Sequence, residues 1–295
     1  MMHGWIILDK PSGITSAHAV AKVKRLLRPK KIGHAGTLDP LASGVLPLAL
    51  GEATKTVPYM MDADKAYEFT ATWGEERDTD DSEGRVTATA EKRPTQEEIN
   101  IILQHFTGKI LQTPPVFSAI KVAGERAYDL ARDGKVVELK AREIEIKFLT
   151  LLGRTAPFGA DNFICHCSKG TYIRSLARDM GRELGCFGHI SRLRRIKVGK
   201  FTETQAISLE ILEEMVHKSD LGFLRPLESA LDDIPAYEVD SDQAMLLMRG
   251  QPLHLPTTIA EEPESATALA RHQGKAVAIC GVSRGVMRPV RVFNN

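Results

Sequence analysis

Apolar residues first occur in a block and then in a stripe. Trp5 to Leu8 is a continuous apolar run of strand length, ended by the turn residues Lys10-Pro11-Ser12-Gly13. Val20, Val23 and Leu27 then recur at helical spacing with Lys22, Lys24 and Arg25 between them, which predicts a helix capped by Thr15 or Ser16 and stopped by Pro29. Val45 to Leu50 is a second strand-length apolar run, followed by a short helical piece from Glu52 to Met60. Lys65 to Trp73 alternates, with Tyr67, Phe69, Ala71 and Trp73 on one face, so Tyr67 is expected to point inward. The acidic stretch Gly74 to Gly84 reads as a solvated hairpin connection. Thr95 and Glu98 form a capping box ahead of the stripe Ile99, Ile102, Leu103, Phe106, with Gly108 placed to end that helix. Strands return at Glu143 to Leu152 and Phe163 to Cys167, and a helix follows on the stripe Ile173, Leu176, Ala177, Met180, Leu184. Leu193-Arg194-Arg195 opens a strand ending near Phe201, and a helix from Ser208 to about His217 closes the main unit.

Two stretches break this alternation of strands and helices. Residues 113–142 begin with Thr113-Pro114-Pro115 and carry Lys121, Arg126, Arg132 and Lys135 over turns and one short helix, a surface insertion able to close over a large ligand. Pro226 to Pro235 reads as a linker, and residues 236–295 as a small, mostly β module. The pattern predicts an α+β protein with a main unit over 1–232 and a β-rich unit over 236–295.

The 295 residues are 43% hydrophobic and 26% charged, the composition of a globular protein. No run of about 18 apolar residues is present to cross a membrane, and MMHGWIILDK lacks the features of a secretion signal, so the expected address is the cytoplasm, with no membrane partner. Cys165, Cys167, Cys186 and Cys280 have neither zinc spacing nor a disulfide framework and are expected to be buried thiols. Asp78, Asp80 and Asp81 lie close together but lack the EF-hand arrangement, so no metal is expected.

The net charge of +1 hides an uneven distribution. Lys10, Lys22, Lys24, Arg25, Arg28, Lys30 and Lys31 occupy an acid-free segment, and Arg192, Arg194, Arg195, Lys197 and Lys200 occupy another; compensating acids cluster at Asp78 to Glu83, Glu210 to Glu214 and Glu261 to Glu264. Two acid-free basic segments suit a phosphate-contacting surface.

Between Asp9 and Glu52 the sole acid is Asp39, within KIGHAGTLDPLASGVLPLALGEATK. Gly33, Gly36 and Gly44 permit unusual backbone angles while Pro40 and Pro47 fix theirs, which places a lone carboxylate on a stiff loop anchored to a buried strand. Asp-Pro alone would be an ordinary turn; His34, the glycines and the basic flank favour a functional loop. Arg174 stands in the first turn of its predicted helix, where the macrodipole disfavours a cation, so a carboxylate partner is expected.

Four blocks carry a family resemblance: GHAGTLDPLASGVLPLALGEATK, KAYEFTATWGEERDTDDSEG, TPPVFSAIKVAGERAYDLAR and SKGTYIRSLARDMGRELG with HISRLRR. In order and spacing they resemble the bacterial TruB family of tRNA pseudouridine-55 synthases across nearly all of residues 5–200. The resemblance implies the pseudouridine synthase fold, a mixed, mostly antiparallel central sheet flanked by helices, with a C-terminal PUA-like RNA-binding module. It makes Asp39 the catalytic carboxylate, Tyr67 the aromatic that stacks on the target base and Arg174 the ion-pair partner of Asp39. Leu193 would line the pocket and His34 would fill the space vacated by the flipped nucleotide. Gly36, Lys55, Lys169, Arg194 and Arg195 complete the expected substrate-binding set. The chain departs from the family pattern at Arg77, where a threonine is usual, and at Trp73, where a leucine is usual.

Such a protein isomerises uridine-55 in the tRNA T loop by breaking the C1′–N1 bond, turning the uracil and rejoining it through C5. The reaction is redox-neutral, and neither cofactor nor metal is expected. Asp39 could attack the sugar, attack the base, or remove a sugar proton, and Tyr67 could serve as acid or base. The nucleotide must leave the stack, at an unstacking cost of a few kcal/mol. The expected partner is the tRNA T arm, with no obligatory protein partner and a monomeric state. A rival reading is a non-catalytic RNA-binding or tRNA-folding protein using the same basic surfaces; another is a synthase directed to a different RNA.

Overall fold

A computed structural model describes residues 2–294 apart from 119, 123, 134, 136, 156–158 and 256–265. The acids at 261–264, and parts of the 113–142 insertion, lie outside the described residues.

The apolar run at the N-terminus forms β1 (Gly4–Lys10), and the predicted helix forms α1 (Ser16–Leu27), with Thr15 accepting from the His18 amide as N-cap. The short strand β2 (Ile32–His34) leads through the Asp39 loop to β3 (Ser43–Leu50). A 3₁₀ turn over Gly51–Thr56 and α2 (Val57–Asp62) precede β4 (Lys65–Trp73), which matches the alternating stretch read from sequence. β5 (Glu75–Arg77) and β6 (Val86–Thr89) form a side ribbon, and α3 (Gln96–Leu103) carries the expected capping box. Gly108, with φ +90°, opens a further strand, β7 (Gly108–Gln112). The insertion contains β8 (Lys121–Val122), β9 (Glu125–Arg126) and α4 (Ala127–Arg132). Then come β10 (Arg142–Thr155), β11 (Ala160–Cys167), α5 (Ile173–Glu183), β12 (Gly188–Val198), β13 (Phe201–Thr202) and α6 (Leu209–His217). β12 thus starts five residues before Leu193, because Gly188 to Arg192 already pair with β4.

The main sheet runs β1-β3-β12-β4-β11-β10-β7, with β2 on β3 and β13 on β12. Only the β3–β12 pair is parallel, so the sheet is mixed and mostly antiparallel. Alternation along β1 explains its continuous hydrophobicity. Ile6 and Leu8 face a core shared with Val23, Phe69, Phe163, Leu176 and Leu212, while Trp5 and Ile7 face a second core. A strand buried on both faces reads as an unbroken apolar run, here from Trp5 to Leu8.

That second core joins the two expected units. Trp5 and Phe201 (ring centroids 5.8 Å apart) pack with Leu227 and Leu231 and with Leu269, Ile279 and Phe293. The segment expected to be a linker is therefore packed structure, a 3₁₀ turn at Leu227–Ala230 in which Leu227, and Leu231 just after it, are buried. The C-terminal part comprises β14 (Ala236–Glu238), α7 (Ser241–Met248), β15 (Leu253–His254), β16 (Ala266–His272), β17 (Lys275–Ser283) and β18 (Val286–Val292). Its five strands form one sheet in the order β14-β16-β17-β18-β15, and α7 adds a helix that the sequence pattern did not single out. Among the described residues no helix is long and apolar enough to cross a membrane, and all four cysteines are buried free thiols.

Candidate active site

The loop between β2 and β3 is held from beneath by the turn between β1 and α1. Ser16 Oγ, at the first position of α1, donates to the Leu38 carbonyl (2.9 Å) and accepts from the Leu38 amide (2.8 Å). Ser12 Oγ donates to the Leu41 carbonyl (2.8 Å), and the Gly13 amide donates to the Pro40 carbonyl (2.8 Å). Lys10 is fully buried, its ammonium donating to the carbonyls of Pro11 and Ile14 at 2.8 and 2.7 Å; burial pushes it down to about 8, with the Asp39 carboxylate opposing. A carboxylate between Leu38 and Pro40 is thus fixed by bonds on both sides of it.

Asp39 borders a cavity of about 290 Å³ together with Lys65, Tyr67, Tyr172, Arg174 and Leu193. Arg174 Nε lies 2.9 Å from Asp39 Oδ2, its Nη1 donates to the Thr79 carbonyl (2.7 Å) and stands 3.5 Å from Asp81 Oδ2, and its Nη2 donates to the Phe117 carbonyl (3.0 Å). Every nitrogen of a guanidinium that is 5% exposed is therefore partnered. One turn along α5, Arg178 donates to Asp80 (2.9 Å) and to the Thr113 carbonyl (2.9 Å). Two arginines on one helix face thus fix the start of the insertion and the 79–81 loop.

This corrects the view of Gly74 to Gly84 as solvated: Asp80 and Asp81 are 5% and 3% exposed because the arginines draw them inward. Burial pushes Asp80 up to about 6, against the pull of Arg178 and Arg174. Arg77 closes the same loop, donating to Glu75 and to the carbonyls of Ser82 and Gly84. Trp73 is buried, its indole donating to Asp161 (2.8 Å).

Tyr67, on β4, is half-buried at the cavity floor; burial pushes its phenol up to about 12, with the Arg195 guanidinium pulling the other way. Tyr172 also lines the cavity. Its backbone is clamped by Gln112, whose amide group donates to the Tyr172 carbonyl (3.0 Å) and accepts from the Tyr172 amide (2.8 Å). Burial and the Asp39 carboxylate raise the Tyr172 phenol. Leu193 and Gly36 also line the cavity. His34 sits on β2 with Nδ1 buried and unpartnered, and burial together with Arg195 lowers its pKa.

Four of the expected substrate contacts are already engaged within the chain. Arg195 borders the same cavity but is 1% exposed and donates to the carbonyls of Val45 (2.8 Å), Gly36 (3.0 Å) and Thr37 (3.4 Å), which turns its guanidinium inward. Arg194 is engaged by Asp9 and Glu203. Lys55 is held by Glu52 and by the Val292 carbonyl at 2.6 Å each, which ties the 3₁₀ turn to the C-terminal sheet. Lys169 is exposed and pairs with Asp62 at 2.9 Å. In contrast, Lys22, Lys24, Arg25, Arg28, Lys30 and Lys31 of the first basic segment are all exposed. The sequence reading missed Lys10, Ser16, Asp81 and Tyr172; of these only Tyr172, two residues before Arg174, carried a positional hint.

Comparison with known proteins adds to this geometry. The family model described as TruB family pseudouridylate synthase (N terminal domain) matches residues 24–173, and that described as tRNA pseudouridylate synthase B C-terminal domain matches residues 174–232. A protein of Nitrobacter winogradskyi named tRNA pseudouridine synthase B is 54% identical over 299 residues, 99% of this chain and 83% of that protein. One of the same name from Agrobacterium fabrum is 53% identical over 301 residues, covering 98% and 94%. A solved chain from an H/ACA RNP bound to a substrate RNA containing 2′-deoxyuridine superposes with TM-score 0.76 at 24% identity, covering 99% of this chain and 85% of that one, a likeness of fold.

Proposed function

The chain belongs to the TruB family of pseudouridylate synthases, and on that premise we propose that it isomerises uridine-55 in the T loop of tRNA to pseudouridine, with Asp39 as the catalytic carboxylate. The observation that carries the reading is the Arg174–Asp39 ion pair at 2.9 Å, on the wall of a cavity that two tyrosines also line. The cavity of about 290 Å³ suits one flipped nucleoside and not a duplex, so the target leaves its stack before reaction.

In this reading Arg174 orients Asp39 toward the ribose and base, and the backbone bonds on Leu38 and Pro40 keep the carboxylate from swinging away. Tyr67 stacks on the uracil and holds it after the glycosidic bond breaks, so that C5 turns toward C1′ without the base escaping. Tyr172 and Leu193 form the remaining walls. C1′–N1 breaks and C1′–C5 forms within one substrate, C5 gives up a proton and N1 gains one, so the product is an isomer and no other group is donated or lost. His34 occupies the space vacated by the flipped nucleotide. The exposed face of the first basic segment contacts phosphates, residues 236–295 act as a PUA-like RNA-binding module behind a catalytic unit over 1–232, and the protein works as a cytoplasmic monomer.

The test is incubation of purified protein with an unmodified tRNA transcript, followed by pseudouridine mapping. Conversion confined to the T-loop uridine supports the reading. Binding without conversion favours a tRNA-folding protein, and conversion elsewhere reassigns the substrate.

A further inference from the structure

Arg195 is among the largest fully buried side chains of the described residues, and the reaction as read above gives it no role. Its position is unusual. β12 lies between β3, which leads out of the Asp39 loop, and β4, which carries Tyr67. On one side Arg195 pairs in register with Gly44 of β3, and on the other with Tyr67 of β4. Its guanidinium reaches both neighbours: it donates to Val45 on β3 and to Gly36 and Thr37 in the loop, and it stands beside the Tyr67 phenol. The backbone there admits no slack. Gly44 has φ +99°, and a Cβ on it would lie 2.2 Å from the Arg195 carbonyl oxygen; a Cβ on Gly36 would lie 3.3 Å from Arg195 Nη1.

We propose that Arg195 is a positioning residue of the reaction: one guanidinium locks the Asp39 loop to the strand register of Tyr67, so that carboxylate and phenol meet the nucleotide in a single fixed geometry. Three carbonyls, on β3 and in the loop, are each met by a different nitrogen of one planar guanidinium, a spread that a lysine ammonium could not match, which accounts for an arginine at a site with no carboxylate hydrogen-bonded to it. Satisfying this cation with carbonyls alone leaves it positive beside the phenol, where it orients the hydroxyl and favours negative charge on its oxygen.

The inference rests on the isomerase reading, and a double-mutant cycle separates the two. Single-turnover conversion of a tRNA transcript is measured for wild type, Arg195→Gln, Tyr67→Phe and the double variant, together with tRNA Kd and Tm. Arg195→Gln should lower the rate about 100-fold with Kd within about threefold, and in the Tyr67→Phe background the same change should cost no more than about tenfold, the remainder being the grip on the Asp39 loop that the phenol does not share. A purely structural arginine would give losses that multiply, and that result, or a rise in Kd matching the loss of rate, overturns the inference. If Arg195→Gln does not fold, Arg195→Lys, which keeps the charge and loses the fork, runs through the same cycle under the same criteria. Wild type that makes no pseudouridine refutes the isomerase reading; active wild type with multiplicative losses refutes Arg195 alone.

Discussion

Arg174 Nε lies 2.9 Å from Asp39 Oδ2, and the same guanidinium holds the Phe117 carbonyl at the start of the insertion and stands 3.5 Å from buried Asp81. One side chain therefore connects the proposed catalytic loop, an acidic loop and a surface excursion. Replacing it by lysine keeps the charge and loses the fork, so Arg174→Lys should lower the single-turnover rate by about 100-fold or more, with tRNA affinity nearly unchanged. Rapid quench and filter binding on one transcript check both halves.

Asp39→Ala should abolish turnover while tRNA still binds, because its partners at Leu38 and Pro40 are main-chain groups that survive the change. Full activity in that variant would assign the chemistry to another residue.

Lys22 to Lys31 of the first basic segment present exposed cations while Arg194 and Arg195 of the second are consumed internally. Lys30→Ala with Lys31→Ala should weaken tRNA binding and lower the slope of log K against log salt by about 1 to 2. Arg194→Ala should leave that slope alone and reduce Tm, since it removes the partner of Asp9 and Glu203. A salt titration of all three proteins distinguishes the two surfaces.

Asp80 is a carboxyl whose folded-state pKa, about 6, lies above its ordinary value of 3.8. A group raised on folding contributes stability that is fully present below its unfolded pKa and is lost as pH rises through its folded one. Between about pH 4 and pH 6 wild type should therefore lose stability relative to Asp80→Asn, as thermal melts across that range would record. A flat difference would mean that Arg178 compensates the burial of Asp80 completely.

Ser16→Ala removes both the donor and the acceptor facing Leu38, leaving a buried amide unsatisfied at a cost of about 1 to 3 kcal/mol. The rate should fall along with Tm, since the lost bonds fix the residue next to Asp39. Parallel melts and single-turnover assays would reveal loss of one without the other.

The strands of the main sheet were largely legible because burial on both faces writes itself as unbroken apolar runs, as in β1, and one-sided burial as alternation, as in β4. β7 was not, since Gly108 looks like a helix terminator and Leu111 is 75% exposed at the edge of the sheet. Arg174 was legible as a cation at the wrong end of a helix. The burial of Asp81 and Arg195 was not legible for one reason: charge in a sequence suggests solvent, and only a partner far along the chain shows that the charge is internal. Ser16 passed as an ordinary capping residue, and its grip on Leu38 depends on a tertiary approach that no local pattern encodes.

The order of strands also sets when the protein can begin to work. β3 and β4 are made early, yet the place between them is filled by β12, and the outer face of β1 is closed by Phe201, Leu269, Ile279 and Phe293. A ribosome that has released Asp39 and Tyr67 has therefore delivered two halves of a site with no strand to join them. Until Gly188–Val198 emerges and threads between its elders, the nascent chain can engage tRNA only as an unfinished surface, and competence arrives late and all at once.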